Sequence, residues 1–258
     1  MNTGSITVVT GGASGIGAAC CRVLAQRGSQ VVILDRNLQE AKKLAREIGG
    51  HAYAVDVGTE GSIEDAAAQI EKNHGAVIGL VNSAGILQPP MPPEQLSTQV
   101  WDDVVTINQR GTYLCNRIFA RAMIARRHGS IVNIASVAGM RSMPLHSYSP
   151  TKAAVISMTA CLAAEWGPVG IRVNAVSPGF TLTPALQDEV DAGRRNVSRA
   201  ESNAALGRLV KAVEVANAVA FLLSDDATAI TGVNLPVDCG WLAGASWNTH
   251  GGLREMPE

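Results

Sequence analysis

The residues Ile6-Thr7-Val8-Val9-Thr10-Gly11-Gly12-Ala13-Ser14-Gly15-Ile16-Gly17 decide how this chain folds. The β-branched run from Ile6 to Thr10 reads as a buried strand. Ala18 to Arg27 reads as an apolar helix stopped by Gly28. The glycines between them let the backbone come close, and the helix start offers unpaired N–H groups and a positive dipole end. Strand, glycine turn and helix form the arrangement that holds a pyrophosphate. A glycine-rich turn alone serves a tight bend equally well, so the flanking elements carry the phosphate reading.

The alternation continues. Val31 to Leu34 is a second strand ending in Asp35, 18 residues beyond Gly17. An acid about 20 residues on is placed to bond the adenosine ribose hydroxyls. Its charge repels a 2′-phosphate, so NAD is expected rather than NADP. Arg36 either offsets that repulsion or is a solvated strand-end charge, and the second reading is favoured. Leu38 to Ile48 is a helix, and Ala52 to Val55 a strand ending in Asp56-Val57. Asp56 either reaches the adenine amino group or caps the helix from Glu60 to His74. Val77 to Val81 leads into Asn82-Ser83-Ala84-Gly85. Prolines 89, 90, 92 and 93 mark a loop before a helix running from about Ser97 to Arg127. Asn108 inside that helix is poor for propensity. It reads either as bonding across a local kink and holding a water, or as an ordinary polar position.

Ile131 to Ala135 and Ile171 to Val176 are further strands. Ala185 to Leu206 is polar and weakly periodic, as in a mobile lid. Ala212 to Leu223 is a helix, and Thr231 to Val237 the last strand. The tail from Cys239 to Glu258 carries Trp241 and Trp247, which should pack on something, such as a neighbouring subunit. The expectation is a single α/β domain over residues 1–258, doubly wound around a parallel sheet. Ligands then bind at the carboxyl ends of the strands. Gly11 to Gly17, Asp35, Asp56, Asn82, Ser136 and Pro178 all fall there.

A second stretch carries the chemistry: Ser136, then Tyr148-Ser149-Pro150-Thr151-Lys152. Tyr148 and Lys152 share one helical face. A free phenol, with a pKa near 10, is a poor base at neutral pH. The lysine is expected to favour the phenolate. A shift of about 3 units requires roughly 4 kcal/mol, which a close charge in a partly dry site can supply. The alternative is a buried tyrosine and a surface lysine sharing a helix by chance.

With 258 residues, 47% hydrophobic and 17% charged, the chain can bury one large core. Net charge is -1 with no basic block, so neither nucleic acid nor an anionic membrane surface is an expected partner. Five cysteines without C-x-x-C spacing argue against disulfides and against a metal site. No signal peptide is read before the first strand, and no apolar run reaches the ~18 residues of a membrane span. A cytoplasmic setting is expected.

Thr10-Gly11-x-x-x-Gly15-x-Gly17, Asp56, Asn82-Ser83-Ala84-Gly85, Asn108-x-x-Gly111, Ser136, Tyr148-x-x-x-Lys152 and Pro178-Gly179 follow in one order. In them the chain resembles the short-chain dehydrogenase/reductase (SDR) family over nearly its whole length. The resemblance implies a Rossmann-type sheet of seven mainly parallel strands flanked by helices, usually in a homotetramer. It implies a catalytic tetrad of Asn108, Ser136, Tyr148 and Lys152, with Asn108 holding a water that links Lys152 to solvent. The cofactor would lie on Gly11, Ser14, Gly15, Ile16, Gly17, Asp35, Arg36, Asp56, Val57, Asn82, Ala84, Gly85, Tyr148, Lys152, Pro178, Gly179, Thr181 and Thr183. Ser136, Met140, Arg141, His146, Tyr148, Phe180 and Leu186 would line the substrate pocket.

The expected reaction is hydride transfer between NAD(H) and a secondary alcohol or ketone, with a polyol, sugar or other hydroxylated small molecule as substrate. The alternatives are an NADP-dependent ketone reductase, 3-oxoacyl types included, and a non-enzymatic dinucleotide sensor. Three positions depart from the family pattern: Ser83 in the N-N-A-G motif, Pro150 between tyrosine and lysine, and Cys239 in the D-G-G motif. Pro150 is compatible with a first helical turn, where its missing N–H costs little.

Overall fold

Strands this short, β-branched and continuous in apolar character need cover on both faces, which only the interior of a parallel sheet supplies. The computed structural model describes residues 5–254. In it β1 (Ile6–Thr10), β2 (Gln30–Asp35), β3 (His51–Ala54), β4 (Val77–Asn82), β5 (Gly129–Ile134), β6 (Ile171–Pro178) and a last strand (Asn234–Val237) form one sheet. Every pairing is parallel, and the spatial order is β3-β2-β1-β4-β5-β6-last strand. The order reverses between β1 and β4, and the connecting segments diverge there to leave a crevice.

Helices cover both faces. On one, α1 (Gly15–Gln26) packs with the helix Ala212–Leu223 over Val9, Ile33 and Val132. On the other, α2 (Leu38–Ile48) excepted, α3 (Glu60–His74) and the helix Thr112–Arg126 bury Leu80, Phe119, Met123 and Ile131. Local chemistry sets the ends of α2. Asn37 accepts a hydrogen bond from the Glu40 N–H, and Gly49 closes the helix in the left-handed conformation.

Two expectations are corrected. The single helix from Ser97 to Arg127 is divided into α4 (Thr98–Val104), a π-helical stretch from Val105 to Gly111, and α5 (Thr112–Arg126). The widened turn sets Asn108 fully into the interior. The weakly periodic segment expected as a lid holds two short helices, α7 (Pro184–Asp191) and α8 (Ser198–Ser202), which follow α6 (Tyr148–Trp166) in the chain. Thr183 caps α7 by accepting the Leu186 N–H at 3.3 Å, and Pro184 starts it. Too few residues repeat in either helix for a period to show. The last strand is also shorter than expected. A small parallel pair, Thr181–Leu182 with Val210–Lys211, was not anticipated.

The tail packs in part on its own chain. Trp241 lies 5.5 Å from Phe180, ring centre to ring centre, while Trp247 is 50% exposed. The last four residues of the expected tail lie outside the described residues. No helix among the described residues is long and apolar enough to cross a membrane.

Candidate active site

The carboxyl ends of β1, β4, β5 and β6 open into a cavity of about 1270 Å³. Its floor is the glycine turn, Gly11 and Ser14 to Gly17. A Cβ on Gly17 would stand 2.1 Å from the Gly11 carbonyl oxygen, so the turn closes onto α1 only with glycine. Ser14 stands at the start of α1 without a capping side-chain bond, and the first N–H groups of the helix remain available to an anion. Asp35 Oδ2 accepts the Ala13 N–H at 3.0 Å, and Oδ1 accepts the Asn37 N–H at 2.9 Å. The carboxylate is thereby fixed on the cavity wall, beside Arg36. Asp56 Oδ1 accepts the Gly58 N–H at 2.9 Å. Thr59, not Asp56, precedes α3, so the capping alternative for Asp56 is not realised. Val57, Ala84, Gly85, Pro178, Gly179, Thr181 and Thr183 also line the cavity. A close backbone cradle, a free helix start and a fixed acid one strand away suit a dinucleotide.

At the other end of the cavity stand Ser136, Tyr148 and Lys152. Gly139 brings them together. A Cβ there would lie 2.7 Å from the Ala153 nitrogen and from the Lys152 carbonyl carbon, so the turn after Ser136 rests directly on α6. The Ser136 hydroxyl accepts the Ala138 N–H at 3.1 Å and is hydrogen-bonded to Tyr148. Lys152 is 5% exposed, and its Nζ donates to the Ile134 carbonyl at 2.9 Å. That nitrogen is 5.5 Å from the centre of the Tyr148 ring. Asn108 is near: a Cβ on Gly85 would lie 3.2 Å from Asn108 Oδ1 and 3.7 Å from Lys152 Nζ.

The Asn108 amide does not bridge a kink. Its Oδ1 accepts the Ile86 N–H at 2.8 Å, and its Nδ2 donates to the Ile86 carbonyl at 2.9 Å. Thr112 Oγ1 donates to the Asn108 carbonyl at 2.7 Å, so the threonine bonds back within the helix. Asn108 is therefore a clamp on the segment after Gly85.

The expected electrostatics are also corrected. Burial pushes the Tyr148 phenol above its ordinary pKa, and the Ser136 hydrogen bond only partly opposes this. Burial likewise pushes Lys152 down, to about 8. Both charged forms lose water, and the ammonium is directed at a carbonyl rather than at the phenol oxygen. Burial thus disfavours both the phenolate and the ammonium, and the lysine does not offset it for the phenol.

Several expected residues stand elsewhere. Met140, Arg141 and His146 do not line the cavity, and Ser142, Met143, Pro144 and Leu145 do. The chain turns outward after the Gly139 contact. Met140 there is 37% exposed, with its sulfur 3.2 Å from Asn234 Nδ2, and Arg141 donates to the Met140 carbonyl. Phe180 and Leu186 are in the wall, joined by Leu87, Arg194, Arg195 and Trp241. Asn82 lies behind it. Its Nδ2 donates to Asn116 Oδ1 at 3.0 Å and Asn133 Oδ1 at 2.8 Å, and Asn133 donates to Thr159 of α6 at 3.0 Å. This buried polar chain ties α6 to the sheet.

Two residues outside the expected site also shape it. Thr10 Oγ1 accepts the N–H groups of Ser83 and Ala84, both at 3.2 Å. Gln88, fully buried, accepts from Ser147 immediately before Tyr148. Among the described residues, no three His, Cys, Asp or Glu side chains gather as a metal site.

A phenol, a hydroxyl and a buried ammonium at one end of a crevice with a glycine turn at the other suit a class of protein: oxidoreductases that work at an alcohol or carbonyl carbon. Comparison with known proteins agrees. A family model described as enoyl-(acyl carrier protein) reductase matches residues 11–242. D-threitol dehydrogenase of Mycolicibacterium smegmatis is 36% identical, over 92% of this chain and 93% of that protein. Galactitol 2-dehydrogenase of Rhizobium johnstonii is 37% identical, over 92% and 95%.

Among solved structures, one from Brucella melitensis named as ribose-5-phosphate isomerase is 51% identical, covers 98% of both chains and has a TM-score of 0.95. NAD+-bound xylitol dehydrogenase (31% identical, covering 92% and 99%) has a TM-score of 0.85. ElxO with NADP bound (31% identical, covering 93% and 99%) has a TM-score of 0.89. The chain belongs to the short-chain dehydrogenase/reductase family, and it is an oxidoreductase of the alcohol dehydrogenase type.

Proposed function

We propose that this protein is an NAD-dependent dehydrogenase of a polyol, sugar or related hydroxylated small molecule. The observation that carries the proposal is the cluster of half-buried Ser136 and Tyr148 with buried Lys152 at one end of a crevice whose other end holds Asp35. The relatives named for threitol and galactitol support the substrate class. The Asp35 charge, held on the cavity wall by two backbone N–H groups, supports NAD over NADP. Arg36, which has no side-chain partner among the described residues, is the feature that would favour NADP.

The glycine turn and Thr183 would hold the pyrophosphate, and Asp35 and Asp56 the adenosine. Bound nicotinamide supplies the hydride acceptor or donor. The chain's own groups handle the proton. In carbonyl reduction Tyr148 donates its phenolic proton to the substrate oxygen, and Ser136 bonds that oxygen and spreads its developing charge. In alcohol oxidation Tyr148 must first lose that proton. Tyrosine and lysine titrate as a coupled pair. Once the pair loses one proton, neutral lysine beside a phenol is a tautomer of ammonium beside a phenolate. Lys152, at about 8, sets where this happens. Asn108 keeps Ile86, and so the cavity wall, in place.

A pH dependence follows. Oxidation requires the pair with one proton removed, so its kcat should rise through about pH 8. Reduction starts from the pair with both protons in place and should fall through the same region. A stopped-flow pH series in both directions checks this. A flat oxidation profile between pH 6 and about 9 would remove the coupled-pair account.

A second reading is favoured by the 51% identical structure named as a ribose-5-phosphate isomerase. Of the two arginines in the cavity lining, Arg194 is held by Glu189, its Nη2 at 2.7 Å, which leaves Arg195 to meet a phosphate. An aldose–ketose isomerisation has no net oxidation, so it needs no consumed nucleotide. The deciding experiment is a panel of threitol, galactitol and xylitol with NAD and with NADP, beside ribose 5-phosphate without nucleotide. Our reading expects polyol-dependent NADH formation, with NAD preferred about tenfold or more in kcat/KM. Preference for NADP would overturn the Asp35 argument, and nucleotide-independent ribulose 5-phosphate formation would favour the isomerase.

We also place the protein in the cytoplasm, as a homotetramer. The five free cysteines fit a reducing compartment, and burial pushes the thiols of Cys20 and Cys115 up to about 12. Exposed Val213 and Phe221 on one helix, with Val233 before the last strand, offer an apolar edge for a second copy.

A further inference from the structure

Gln88 stands between two walls of the cavity without lining it. It is 0% exposed. Its Oε1 accepts two hydrogen bonds from one residue, the Ser147 N–H at 2.9 Å and the Ser147 hydroxyl at 3.1 Å. Its Nε2 donates to the Pro89 carbonyl at 2.9 Å. Ser147 is itself fully buried and is the residue from which α6 starts, with Tyr148 next in the chain. Ser147 has no capping bond of its own to the first turn. The start of α6 is therefore held by an amide from a different segment.

That segment is itself held. Ile86, two residues before Gln88, is bonded on both backbone groups by Asn108. Ile86, Leu87, Pro89 and Pro90 line one side of the cavity, while Met143 to Leu145 line the side that leads into Ser147. A glutamine between two wall segments, with all its polar groups matched, is costly to bury unless each bond is made. Here they are made, and they join the wall after Gly85 to the start of the catalytic helix.

We propose that Gln88 is a positioning residue: through the two hydrogen bonds it accepts from Ser147 it fixes Tyr148 against the cavity. This rests on the proposed acid–base role of Tyr148 and extends it to a residue that no motif marks. Misplacement of a reacting group by about 1 Å can cost on the order of a hundredfold in rate. Nucleotide binding, which depends on the glycine turn and Asp35 at the other end, should be spared.

The test measures kcat and KM for the preferred polyol with NAD, and the NADH dissociation constant by fluorescence. Gln88→Leu removes every polar bond at similar size. It should lower kcat by about twentyfold or more, with KM and the NADH constant within about threefold of wild type. Gln88→Glu keeps the acceptor for Ser147 and should restore at least about a quarter of wild-type kcat.

The proposal is overturned if Gln88→Leu stays within about threefold of wild type in kcat, or if NADH binding weakens in step with kcat. It is also overturned if Gln88→Glu is as impaired as Gln88→Leu. Should Gln88→Leu not fold, Ser147→Ala decides, since it deletes only the hydroxyl bond. A loss of about fivefold in kcat at unchanged NADH affinity supports the proposal, and an unchanged kcat overturns it. A wild-type protein inactive on all polyols sinks the dehydrogenase reading and this proposal together. An active wild type with an indifferent Gln88→Leu sinks this one alone.

Discussion

Tyr148→Phe lowers kcat about a thousandfold while the NADH dissociation constant stays within about threefold of wild type. The substitution removes one oxygen and keeps the ring. The ring stays half-buried at the start of α6, so the cavity wall survives. What is lost is the group that gives or takes the substrate proton. A thousandfold corresponds to about 4 kcal/mol of transition-state stabilisation, in the middle of what acid–base catalysis supplies. Steady-state kinetics with a fluorescence titration of NADH measures both halves. Activity within about tenfold of wild type would remove Tyr148 from the proton path.

Lys152→Met should lower kcat/KM by a comparable factor and yet leave the protein as stable or more stable at neutral pH. The lysine is buried, and burial pushes its pKa down to about 8. The unfolded chain binds that proton more tightly than the folded one. Between about pH 8 and 10.5 the unfolded state therefore holds more protons, and wild-type stability rises with pH across that window. Below it, the folded protein carries a handicap of roughly 3 kcal/mol from the charged lysine.

Methionine has no such handicap. It leaves the Ile134 carbonyl without its partner, but Ile134 lines the cavity and water can replace the lost donor. The expected result is a thermal midpoint above wild type at pH 7, by about 2–4 °C per kcal/mol regained. The difference should shrink as pH approaches 10. A difference that does not change with pH would mean that the ammonium is not desolvated as the structure has it.

These two predictions separate what was legible in the chain from what was not. The Gly11-to-Gly17 turn and the Tyr148–Lys152 spacing are local. A strand, a turn and a helix read in sequence fix which residues share a face, whatever the tertiary packing. The alternation of strands and helices also defines the sheet, because each apolar run needs the next to cover it.

The direction of the Tyr148 pKa was not legible, because it is a balance of burial against charge. Burial is set by the whole fold. Arg141 and His146 lie in a segment whose course is decided by a contact at Gly139, which no spacing reveals. The π-helical stretch at Asn108 is stabilised by bonds to Ile86, in a different element. Gln88 looks like an ordinary loop residue before two prolines. Its role emerges only when Ser147 arrives beside it. The helices of the 185–206 segment were too short for a period to show.

The central claim is that a hydride leaves a hydroxyl-bearing carbon for the nucleotide while Tyr148 manages the proton. The most direct measurement is label transfer: incubate the protein with NAD and a polyol deuterated on its carbinol carbons, and read the reduced nucleotide by mass spectrometry. The account predicts NADH carrying one deuterium, formed in step with the ketose, and no label transfer with Tyr148→Phe. Unlabelled nucleotide alongside sugar turnover, or undiminished transfer in that variant, would contradict it.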